Sequence, residues 1–133
     1  MSEFLAENLK SYEVESNIIR LIDHNIKPGA YTNVGIDSNN DDWPAILEKI
    51  LSSEIVIFAT SIWWGNQSSL IQRVIERLDE IHDEIMKSGK SRMINKVAGI
   101  VVTGDSDCAE HIIGNLANFF ISIGFTLPLL PVH

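Results

Sequence analysis

The chain has 133 residues, 45% of them hydrophobic and 21% charged, with a formal net charge of −8. This is one domain with enough chain for a core, and its acidity excludes partners that demand a basic face, nucleic acid and anionic membrane surfaces among them. No apolar run approaches bilayer-spanning length, Glu3 and Glu7 stand where a signal peptide would be basic, and a single cysteine leaves no internal disulfide, which fits a reducing cytoplasm.

Residues 1–14 predict a helix, because Phe4, Leu5 and Leu9 recur at helical spacing with Glu3, Glu7, Asn8 and Lys10 opposite. Asn17 to Ile22 predicts a strand through Ile18, Ile19, Leu21 and Ile22, ended by Asp23-His24-Asn25. A long loop follows to Asp42, with Pro28, Gly29, Gly35 and a polar DSNNDD run. The second helix opens at Asp42 or Trp43, with Asp42 as its cap and Pro44 tolerated in the first turn. Ala45, Ile46, Leu47, Ile50 and Leu51 supply its buried face.

The stretch Ser53–Ser69, SEIVIFATSIWWGNQSS, organises the rest. Ile55 to Ala59 is apolar on both faces and suits a parallel strand covered on both sides. The run stops at Thr60-Ser61. An aromatic pair, Trp63-Trp64, follows, then Gly65-Asn66, and Ser68-Ser69 can cap the next helix. Adjacent residues cannot both point inward, so at least one indole is expected to face ligand, partner or solvent. The helix over 68–86 has the clearest period. Ile71, Val74, Ile75, Leu78, Ile81 and Ile85 form its apolar stripe, with Arg73, Glu76, Arg77, Glu80 and Glu84 opposite. Ser88-Gly89-Lys90-Ser91 ends it.

Lys96 to Val102 predicts a further strand, with Thr103-Gly104-Asp105-Ser106-Asp107 as the loop beyond it. A helix from Cys108 to Ile123 buries Ile112, Ile113, Leu116, Phe119, Phe120 and Ile123, and Gly124 stops it. Phe125 to His133 is at best a poor edge strand, since Pro128 and Pro131 lack amide donors. This alternation predicts a single doubly wound α/β domain over residues 1–133. Ligands bind such sheets outside the carboxyl ends of the strands. Two indoles there suit a flat, partly apolar ligand with polar edges.

Three other clusters read as ordinary surface. Asp37, Asn39 and Asp41 mimic a calcium loop, but Asp42 replaces the glycine such a loop needs. Asp79, His82 and Asp83 share the polar side of a helix. Asp105, Asp107, Glu110 and His111 suit the acidic first turn of one. No metal is expected. Cys108 stands at a helix start, where a thiol is easily ionised, and reads as an incidental small residue.

Three segments resemble the flavodoxin-like fold family, and within it the NAD(P)H-dependent FMN reductases and related flavodoxin family proteins. SEIVIFATSIWWGNQSSLIQRVIERLDE (Ser53–Glu80) is similar to the third strand, flavin loop and third helix. KVAGIVVTGDSDCAEH (Lys96–His111) is similar to the fourth strand and its loop, and IIRLIDHNIKPG (Ile18–Gly29) to the second strand. The resemblance implies a parallel sheet in a three-layer αβα arrangement. It also implies that Thr60, Ser61, Ile62, Trp63, Trp64, Gly65 and Asn66 line the isoalloxazine of FMN, with Thr103, Gly104 and Asp105 at its other side or rim. Two departures stand out. The family's first strand and its phosphate-holding loop are missing, and the chain stops at LLPVH before the usual last segment. The expected architecture is therefore incomplete, lacking the first strand and last helix, as in a truncated gene model or fragment. The missing strand would be central, in the order 2-1-3-4-5. Its neighbours must pair directly, take an edge from a second chain, or stay partly disordered.

The implied activity is hydride transfer from NAD(P)H through bound FMN to a quinone, a second flavin or another small-molecule acceptor. A homo-oligomer is expected. The alternatives are an electron carrier that meets a basic redox protein, and a domain that has lost FMN binding with its phosphate loop.

Overall fold

The computed structural model describes residues 2–29, 40–105 and 108–128. Helix α1 spans Ser2–Lys10, α2 Trp43–Ser52, α3 Ser69–Ser88 and α4 Ala109–Ser122. The strands are β1 Ile55–Trp63, β2 Asn66–Gln67 and β3 Val97–Thr103. They form one sheet in the order β2-β1-β3. β1 and β3 are parallel, in register from Ile55 opposite Val97 to Ser61 opposite Thr103. β2 is antiparallel to β1, with Ile62 opposite Gln67 and Trp63 opposite Asn66. Beyond β3 a single parallel bridge joins Val97 to Thr126, the remnant of the poor edge strand expected from Phe125 onward.

The core lies on one face of this sheet. Phe58, Thr60 and Ala98 are buried there, and Val56, Ile100 and Val102 pack at its margin. Phe58 stacks on Phe120 of α4 with ring centroids 4.1 Å apart, and Phe125 meets both rings edge-on. Trp43, Ile46 and Ile50 from α2, and Ile71, Val74, Leu78 and Ile81 from α3, complete the cluster. Helix α1 buries nothing, and Phe4 is 71% exposed.

The opposite face departs from expectation. Side chains alternate along a strand, and Ile55, Ile57 and Ala59 are all exposed. A run apolar on both faces is thus covered on one, because the helices that reach the core all pack against the even-numbered side. The strand expected at Asn17–Ile22 does not form either. The segment is extended and then turns through a short 3-10 helix at Leu21–Asp23. Ile18 and Ile22 are exposed, and no direct pairing with β1 occurs among the described residues. Isoleucine-rich composition favours a strand only where a neighbour supplies hydrogen bonds.

Capping follows sequence closely at α3. Ser68 accepts the Ile71 amide, and Gly89 closes the other end with φ +69°. At α2 the cap moves by one residue. Asp42 occupies the position without a side-chain cap, while Asp41 Oδ1 accepts the Trp43 amide at 3.1 Å. Asp42 instead accepts the Asn25 amide at 2.7 Å.

Candidate flavin ledge at the carboxyl ends of β1 and β3

β1 runs three residues further than its composition suggests and turns back on itself. The two residues between the paired strands, Trp64 and Gly65, have φ of +48° and +80°. Two positive values in a two-residue connection define the tight hairpin whose twist matches its strands. Glycine adopts this conformation freely; for tryptophan it is strained. At the tip of the turn, Trp64 lies almost wholly in solvent, at 98% exposure. Trp63 is 64% exposed and oriented by its Nε1–H, which donates to Ser61 Oγ at 2.9 Å. Neither indole is sealed in the core.

The β3–α4 loop meets this hairpin. A Cβ on Gly104, whose φ is +147°, would lie 3.1 Å from Cβ of Ile62, so only glycine lets the two loops approach so closely. A Cβ on Gly65 would lie 3.3 Å from Sγ of Cys108. Hairpin, Gly104 and the start of α4 therefore adjoin in one ledge, with Ser61 and Thr103 in register at the ends of the parallel strands. Asn66 Nδ2 donates to the Trp64 carbonyl at 3.4 Å across the turn.

Thr60 has a different place. It is 6% exposed, and its hydroxyl accepts the Ser68 amide at 3.0 Å and donates to the Ser61 carbonyl at 3.2 Å. It braces hairpin against helix and points away from the ledge. Ser106 and Asp107 lie outside the described residues, as do Asp37 and Asn39 of the calcium-like run. Among the described residues, no three or more His, Cys, Asp or Glu side chains are grouped to hold a metal. Two surface clefts among the described residues, one at the end of α3 near Glu84 and Arg92 and one between Ile75 and Phe119, do not border the hairpin. The ledge is open.

Sequence reasoning misplaced Arg77 on the solvent side of α3. It is 4% exposed, donates to Asp41 Oδ2 at 2.6 Å and lies 5.6 Å from the Trp43 ring centroid. Burial raises the Asp41 carboxyl, but the Arg77 hydrogen bond and charge, with the Trp43 and Lys27 amides, outweigh it and hold the group below the usual range. Burial pushes the Glu80 carboxyl up. The signal for Arg77 was present, since it falls three residues after Val74 and four before Ile81, inside the apolar stripe.

Parallel strands joined through helices, with their strand-to-helix loops meeting at the carboxyl end of the sheet, make this a flavodoxin-like α/β protein. The chain belongs to the NADPH-dependent FMN reductase family, which matches it over residues 1–127. It is 31% identical over 122 residues to 8-demethyl-8-aminoriboflavin-5'-phosphate synthase of Streptomyces davaonensis, covering 86% of this chain and 47% of that protein. It is also 27% identical over 121 residues to the divalent metal cation transporter MntH of Mycobacterium bovis, covering 90% of this chain and 18% of the transporter. The crystal structure of RosB with bound 8-demethyl-8-formylriboflavin-5'-phosphate superposes with a TM-score of 0.70 at 23% identity, covering 90% of this chain and 50% of RosB. The chain thus spans half or less of the length of these relatives. No helix among the described residues is long and apolar enough to cross a membrane.

Proposed function

We propose that this domain binds the ring of FMN on the hairpin ledge and serves an oxidoreductase that draws hydride from NAD(P)H and passes it to a small-molecule acceptor. The observation that carries the proposal is the exposed, left-handed Trp64 beside Gly65, at the tip of a hairpin whose Ile62 is closely approached by Gly104. Backbone strain of this kind persists where it serves a site. The residues fit a flavin ring. Trp64 offers an apolar face for stacking, Gly65 and Gly104 let a ring approach the backbone, and Ser61, Asn66 and Thr103 offer polar atoms to its edge. Bound there, the flavin supplies the hydride chemistry, and the protein's part is to orient and shield it. Trp64 covers one face, and the Ser61 hydrogen bond keeps Trp63 turned along the strand.

The test is titration of the oxidised protein with FMN, followed by flavin fluorescence and absorbance. Saturable quenching is expected, with Trp64→Ala weakening affinity roughly 2- to 10-fold, the range of an aromatic stacking contact. A folded wild-type protein that leaves FMN fluorescence unchanged sinks the proposal. The net charge of −8 favours one further reading, an electron carrier for a basic redox protein. Oxidation of NAD(P)H by the FMN-loaded domain alone would exclude a pure carrier.

A further inference from the structure

We infer that Gln72 and Glu76 are positioning residues that couple the hairpin to the segment ending at Gly29, and so regulate the ledge; that the ledge holds flavin rests on the reading above. A two-stranded hairpin is marginal by itself, and β2 pairs with β1 only at Ile62 and Trp63. Its returning arm is held from α3. Gln67 Nε2 donates to Gln72 Oε1 at 2.7 Å, and Gln72 Nε2 donates onward to Glu76 Oε1 at 3.5 Å. The other Glu76 oxygen accepts the Gly29 amide at 2.8 Å. Gln67, Gln72 and Glu76 are each half-buried.

The relay has a direction. A carboxylate only accepts hydrogen bonds, so Glu76 turns the Gln72 amide with its NH2 group toward itself and its carbonyl toward Gln67. Gln67 must then present its own NH2 group. Without the bond to Glu76, the Gln72 amide is free to invert, which sets one NH2 group against the other. Gln67 stands opposite Ile62 in the ladder, and a Cβ on Gly104 would lie 3.1 Å from Cβ of that same Ile62. A shift of Gln67 is therefore felt where the two ledge loops approach each other. Thr60 fastens β1 to Ser68 and takes no part in this chain. At the far end, Arg73 donates to the Ile26 carbonyl and Arg77 to the Lys27 carbonyl, each at 3.3 Å. Those two hold the segment to α3, while Glu76 also ties it to the hairpin. Coupling between two sites is reciprocal, so a hairpin steadied by flavin steadies Gly29.

Hydrogen exchange along the whole chain, with and without FMN, tests the coupling. FMN should slow exchange at the Gly29 amide in the wild type and leave it unchanged in Gln72→Met, which keeps the side chain's length and removes both its hydrogen bonds. Gln67→Met and Glu76→Ala, at positions that do not bond each other, should each weaken FMN binding about 2- to 10-fold, the range of one hydrogen bond. Together they should weaken it no more than either alone, because both cut one chain. The flavin-free protein supplies a separate arm. Exchange at the hairpin amides should quicken in Gln72→Met and Glu76→Ala alike, while α4 amides keep their wild-type rates. Gly29 slowed equally by FMN in wild type and Gln72→Met overturns the inference, as do additive losses in the double variant or hairpin exchange unchanged in both single variants. A wild type that binds no FMN sinks the flavin reading, and the flavin-free arm still decides the coupling.

Discussion

Trp64 sets stability against binding at a single position. Its φ of +48° suits asparagine or glycine far better than an indole. Trp64→Asn should therefore raise unfolding free energy by about 0.5–1 kcal/mol while weakening flavin affinity, read by denaturant titration and by FMN quenching. A second residue-scale effect concerns acid. Asp41 is held below its unfolded value, so its contribution is fully present above the unfolded pKa of about 3.9 and fades as pH falls toward the folded one. Glu80 has the opposite sign. Its carboxyl is raised in the fold, so stability grows as pH falls through that raised value toward about 4.3. Stability measured against pH should therefore lose its low-pH decline in Asp41→Asn and its earlier rise in Glu80→Gln. Asp41→Asn should also be less stable at neutral pH by about 3 kcal/mol, since it leaves the Arg77 charge buried without its partner.

Elements divide by whether their causes are local. α3 was legible because its causes are adjacent in sequence: Ser68 as cap, a period of 3.6, Gly89 as stop. β1 and β3 were legible as apolar runs rich in β-branched residues, and Gly124 marked the end of α4. The strand expected near Ile18 failed because a strand needs a neighbour that no local pattern reports. The hairpin was readable only in part. Trp64-Gly65 has the glycine of a tight turn, but tryptophan at its first position disguised it. Of the expected ledge, Trp63, Trp64, Gly65 and Gly104 come together at the sheet's end, whereas Thr60 turned inward, as the alternation of the strand required once β1 was known to reach Trp63. Thr60 joins hairpin to helix, so Thr60→Val orphans the Ser68 amide. It should cost about 1–3 kcal/mol, seen as a lower melting temperature, with FMN affinity nearly unchanged.

Across the whole molecule, the core is one-sided. Three helices seal the even-numbered side of β1, while Ile55, Ile57 and Ala59 remain open to solvent on the other.

The clasp between Asp41 and Arg77 joins positions 36 residues apart, and closing so long a span carries an entropic toll before any contact is made. Such a link belongs to the late stages of assembly. Its loss should hasten escape from the native state and leave the refolding limb of a chevron almost where it was. That clasp then acts as a latch on how long each folded molecule survives.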